Sequence, residues 1–66
     1  MTNNLRVQRA IKNITQGELA DAIDVSRQTI QSIEAGKYCP STILALKLAQ
    51  YFGTTIEQIF QLESED

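Results

Sequence analysis

Arg27, Gln28, Gln31 and Ser32 fall together in the segment SRQTIQSIE, from Ser26 to Glu34. On a helix, Ile30 and Ile33 point to one side and these four side chains fall mostly on the other. Arg presents a paired donor that matches guanine N7 and O6. Gln matches adenine N7 and N6, and Ser can donate or accept. The four residue types therefore suit base edges in a DNA groove. A solvated polar helix face has the same general composition, so the elements around this segment must decide between the two.

Those elements favour the groove. Thr15 precedes a helical pattern and Glu18 stands three residues on, a capping box. Leu19, Ala20 and Ile23 make the apolar face of that helix. Asp24, Val25 and Ser26 form a three-residue turn, with Val25 placed to plug the angle between two helices. Ser26 is the N-cap of the next helix, expected over Arg27–Ala35, and Gly36 supplies a left-handed stop. Thr15 to Lys37 is thus two short helices joined by a tight turn. This is the spacing of a helix-turn-helix, whose second helix lies in the major groove of double-stranded DNA. Arg27, Gln28, Gln31 and Ser32 are the expected base contacts. Gln16, Thr29, Lys37 and Ser41 are the expected phosphate contacts on either side. A cation near a helix C-terminus is favoured in any protein, which is the plainer reading of Lys37. Arg9 falls on the apolar face of the first helix and needs a carboxylate. Glu34 is the expected partner, tying the first helix to the recognition helix.

The remaining segments are also helical. A first helix runs from a cap at Asn3 or Asn4 to about Asn13, with Leu5, Arg9 and Ala10 on one face. A fourth runs from Ser41 through Phe52 and stops at Gly53. Thr55 caps a short fifth helix to about Phe60, and residues 61–66 form an acidic tail. The expectation is one all-α domain over residues 1–66, a five-helix bundle. In Ile43–Phe52 only Lys47 and Gln50 are polar. A helix apolar nearly all round is buried on more than one side, and a core this small gains only about 3–5 kcal/mol by itself. A homodimer is therefore expected, with Leu44, Tyr51, Ile59, Phe60 and Leu62 at its interface. Scattered exposed apolar residues, common on monomers, are the alternative.

Composition narrows the function further. The chain has 66 residues, no His and one Cys. A disulfide within the chain and a His/Cys metal cluster are both excluded, and no cofactor is expected. With no room for a pocket, neither an enzyme nor a small-molecule binder is expected. No apolar run reaches the ~18 residues of a membrane span, and there is no signal-peptide pattern. A cytoplasmic location is expected. Cys39 reads as a small loop residue rather than a redox sensor, since only Lys37 and Lys47 are near it in sequence. The net charge is −2, but residues 1–53 hold all six bases and four acids, and residues 54–66 hold four acids and no base. A mildly basic body with an acidic tail is compatible with DNA. Its long-range field is weak, so short-range contacts must supply much of the affinity.

The pattern TQxELAxxIxVSRQTIxxIExGK resembles the Cro/CI-type (XRE) helix-turn-helix family, and YxPS…ALKLAxxFGTTIEQIF is similar to its small stand-alone members. The resemblance spans about residues 3–62. It implies a lambda repressor-like five-helix fold that binds an operator as a two-fold dimer, usually to repress transcription. It also implies a phosphate clamp at Gln16, base readers at Arg27, Gln28 and Ser32, and an Arg9–Glu34 ion pair. In some short members a small strand forms around Phe60–Glu63. Three positions depart from the pattern. Asp24 stands where Gly is usual, Gly17 where a better helix former is usual, and Cys39 where Asn is frequent. An antitoxin-like or adaptor module on the same scaffold is the alternative function.

Overall fold

The computed structural model describes all residues, Met1–Asp66. Five helices follow one another: α1 (Leu5–Lys12), α2 (Gln16–Ala22), α3 (Arg27–Glu34), α4 (Thr42–Phe52) and α5 (Ile56–Ile59). Two short strands, β1 (Thr2–Asn3) and β2 (Phe60–Gln61), pair antiparallel, with Thr2 opposite Gln61 and Asn3 opposite Phe60. The strand at Phe60–Gln61 takes Gln61 out of the expected tail and joins the two ends of the chain. The Met1 ammonium reinforces that junction, 2.9 Å from Glu63 and 2.8 Å from Asp66.

Side-chain caps start four of the helices. Thr15 Oγ1 accepts from Glu18 N at 3.0 Å, and Glu18 Oε1 accepts from Thr15 N at 2.9 Å. Ser26 Oγ accepts from Thr29 N, and Ser41 Oγ from Leu44 N, each at 3.2 Å. Thr55 and Gln58 form a second reciprocal box. At the first helix, the structure chooses between the two expected caps. Asn4 does not cap it through its side chain. Asn3 Oδ1 instead accepts from Leu5 N at 3.1 Å, and the Asn4 amide donates to Gln58 O at 2.9 Å.

One C-terminal device ends α1, α2, α3 and α4. A residue at positive φ follows each: Asn13 (57°), Asp24 (60°), Gly36 (75°) and Gly53 (66°). The next residue's N–H then reaches back five positions. Ile14 N donates to Arg9 O, Val25 N to Ala20 O, Lys37 N to Ser32 O and Thr54 N to Ala49 O, all within 3.0–3.1 Å. These are Schellman closures, which satisfy carbonyls left free at a helix end. The three-residue turn of the helix-turn-helix is therefore the closure of α2, and Asp24 holds its left-handed position.

Leu5, Leu19, Ile30, Ile33, Leu48 and Ile59 are fully buried at the centre of the core. Ala20, Ile23, Leu44, Ala45, Ala49 and Phe60 complete it, and Val25 packs against it from the turn. Three residues expected at a dimer interface belong instead to this core. Leu44 (8% exposed), Ile59 (0%) and Phe60 (7%) are covered by their own chain. A helix with apolar residues on most sides does not reveal which side its own domain covers. In α4 the covered side is Leu44, Ala45, Leu48 and Ala49, and the open side carries Ile43 and Leu46. Tyr51 is half-buried, meeting Phe52 edge-on with Lys12 Nζ 5.0 Å above its ring. Leu62 is 80% exposed. In α1 only Leu5 enters the core, while Ala10, expected beside it, is exposed with Val7 and Ile11.

Candidate nucleic-acid interface

The α2–turn–α3 unit holds its outer face rigidly. Ile30 and Ile33 anchor α3 in the core with no accessible surface. At about 100° per residue, Gln28 and Ser32 lie opposite these anchors. Arg27 and Gln31 border them on one flank and Thr29 on the other. Arg27, Gln28 and Gln31 are exposed, and Ser32 and Thr29 are half-buried. The four expected base contacts thus share one accessible surface on a helix whose back is fixed.

On the Arg27 flank, Arg27 borders a shallow concavity with Arg9, Ile14, Thr15, Gln16 and Gly17. An ion-pair network underlies it. Arg9 Nε donates to Glu34 Oε2 at 2.6 Å and Arg9 Nη2 to Glu34 Oε1 at 3.1 Å. Arg9 Nη1 donates to Ile14 O at 3.1 Å. The Glu34 side chain is 2% exposed. Burial works against its charge, but the Arg9 and Gln16 hydrogen bonds and the nearby Arg6 outweigh that and hold its carboxyl below the usual range. Arg9 is held correspondingly more firmly protonated by Glu34. Arg6 Nε stands 3.8 Å from Glu34 Oε1 on a mostly exposed side chain.

Gln16, expected to hold phosphate, also belongs to this network: its Nε2 donates to Glu34 Oε1 at 3.0 Å. One amide proton is committed internally, and the other donor and the carbonyl remain for an outside partner. Nothing in the sequence spacing pairs residues 16 and 34. The signal available was that a buried carboxylate with one Arg still has lone pairs to fill.

On the Thr29 flank, a second concavity is lined by Ser26, Gln28, Thr29, Ser32 and Tyr38. Tyr38 was not among the expected contacts. Its N–H donates to Ser32 O at 3.3 Å, and its ring is half-exposed beside the outer face. An aromatic two residues beyond a helix stop was the available cue. Lys37 and Ser41 are exposed on the connector after α3. Ser41 Oγ is engaged as an acceptor in the α4 cap and keeps its proton to donate.

The fold and this surface define a helix-turn-helix domain. The helix-turn-helix family model matches residues 5–59, and the chain belongs to that family, in its XRE-type branch. It is 52% identical over 66 residues to an uncharacterized HTH-type transcriptional regulator of Methanocaldococcus jannaschii, covering all of both chains. It is 39% identical to the uncharacterized HTH-type transcriptional regulator YgzD of Bacillus subtilis, again over both full lengths. An uncharacterized HTH-type transcriptional regulator of Archaeoglobus fulgidus is 44% identical, with 93% of that protein covered.

Proposed function

We propose that the protein is a sequence-specific DNA-binding transcriptional regulator that represses by occupying a two-fold operator as a homodimer. The carrying observation is the outer face of α3. Arg27, Gln28 and Gln31 stand exposed, while Ile30 and Ile33 on the same helix are sealed in the core. A fixed back and an accessible front suit a recognition helix. Arg27 and Gln28 are the principal base readers, with Gln31 and Ser32 beside them. Gln16, Thr29, Lys37 and Ser41 hold the sugar-phosphate backbone.

Pairing follows from the reading geometry. One eight-residue helix contacts few base pairs, and a dimer doubles the contact. The protomer measures 32 × 22 × 21 Å. A two-fold operator requires the two copies of α3 to lie about 34 Å apart, one turn of DNA.

The test is selection of a binding sequence from random duplexes, followed by titration of wild type, Arg27→Ala and Gln28→Ala. Each substitution is expected to cost about 1–3 kcal/mol and to relax preference at one position per half-site. Identical affinity and preference in all three proteins would remove the base-reading assignment. Absence of any selected sequence would favour an adaptor or antitoxin-like role.

A further inference from the structure

The concavity on the Thr29 flank of α3 is lined entirely by uncharged polar residues. Ser26, Thr29, Ser32 and Tyr38 bring four hydroxyls and Gln28 brings an amide; no cation and no carboxylate takes part. Ser26 Oγ and Thr29 Oγ1 are 2.9 Å apart, so one donates to the other. Ser26 Oγ also accepts from Thr29 N. The pair owns two hydroxyl protons and uses one between themselves. Whichever way that bond runs, one proton is left for an outside acceptor. Tyr38, on the same lining, carries a further hydroxyl.

Position gives the acceptor. With α3 in the major groove, its front meets base edges and its two flanks meet the sugar-phosphate walls. Gln28 and Ser32 stand at the front, whereas Ser26, Thr29 and Tyr38 close the flank. The groups on a DNA wall that accept hydrogen bonds are the non-bridging phosphate oxygens.

We propose that Tyr38, with the Ser26–Thr29 hydroxyl pair, forms an uncharged seat for one backbone phosphate in each half-site. The proposal rests on the DNA-binding reading above. It addresses a difficulty in the composition, because a chain with six basic residues and a net charge of −2 has few cations to place on phosphates. Neutral donors hold a phosphate without displacing condensed counterions, so they add affinity without adding to the salt dependence.

That difference is measurable on the selected duplex. Tyr38→Phe removes one outward hydroxyl with little change in shape and is expected to weaken binding roughly three- to ten-fold. The loss should be equal on the operator and on mismatched duplexes, with the slope of log K against log salt unchanged. Lys37→Ala serves as the charged comparison, lowering that slope by about one. Replacing single phosphates by methylphosphonate should reveal one position per half-site that weakens wild type but not Tyr38→Phe. Wild-type affinity in Tyr38→Phe, a changed sequence preference, or a reduced salt slope would each overturn the proposal while leaving the DNA-binding reading intact. Failure of wild type to bind any duplex would overturn both.

Discussion

Glu34 Oε1 accepts from both Arg9 Nη2 at 3.1 Å and Gln16 Nε2 at 3.0 Å, so one carboxylate on α3 binds the first helix and the start of the second. α3 is thereby tied to α1 and α2 through a single side chain.

Breaking that pair from one side should be costly. Arg9→Ala leaves the nearly inaccessible Glu34 carboxylate with Gln16 and the mostly exposed Arg6. A destabilisation of about 3 kcal/mol is expected, the lower end for one partner of a buried pair, since Arg9 retains some exposure. Replacing both, Arg9→Met with Glu34→Leu, should cost less than either single change. Urea unfolding of the three variants checks this, and additive losses would show that the pair is not coupled.

Acid should weaken the fold through the same group. The Glu34 carboxyl is held below its ordinary value in the folded state, so the unfolded chain takes up a proton more readily. Its contribution is then fully present above the ordinary Glu value of about 4.3 and is lost as pH falls through the lower folded value. Melting temperature should fall below about pH 4.3 in wild type. Glu34→Gln should start lower and show a flatter decline over the same range. Parallel pH profiles for the two proteins would contradict the assignment.

The left-handed helix stops respond to substitution with opposite signs. Asp24 at φ 60° carries a Cβ where glycine has none. Asp24→Gly should relieve part of the roughly 1–2 kcal/mol cost of that conformation, less the flexibility gained by the unfolded chain. Gly36→Ala, at φ 75°, should cost about 1 kcal/mol. Gly17 is the contrast, since a Cβ there meets only Thr15 Oγ1 at 3.8 Å and the position is helical. Gly17→Ala should stabilise by about 0.5–1 kcal/mol. Thermal denaturation of the three variants orders them directly.

Most of what could be read from the sequence was local; the Arg9–Glu34 ion pair, between residues 25 positions apart, is the exception. Thr15, Ser26, Ser41 and Thr55 each cap a helix through an N–H three residues away, and Gly36 and Gly53 each stop one. These signals lie within a few positions of the residue concerned. The Thr2–Gln61 and Asn3–Phe60 pairing joins opposite ends of the chain through two-residue strands, too short to show an alternating pattern. The bond between Gln16 and Glu34 was hidden for the same reason. Leu44, Ile59 and Phe60 failed as interface residues on a different ground. Apolar character says that a side chain leaves water, and not whether its own chain or a second one covers it.

That last distinction gives two substitutions with separable outcomes. Ile59 is fully enclosed by its own protomer, so Ile59→Ala should cost about 2–5 kcal/mol. A core this small supplies about 3–5 kcal/mol, so this variant should be largely unfolded at dilute concentration by far-UV circular dichroism. Leu46 lies on the open side of α4 at 47% exposure, beside Ile43 at 69%. If two copies pair on that side, Leu46→Glu buries a carboxylate against an apolar surface only in the dimer. Its circular dichroism at low temperature should remain helical while sedimentation shows the monomer, and operator affinity should fall with the loss of the second half-site. A dimeric Leu46→Glu would place the pairing surface elsewhere, on Val7 and Ile11 of α1 or on Leu62. An unfolded Leu46→Glu would show that the monomer does not stand alone, because the substituted side chain lies outside the buried core.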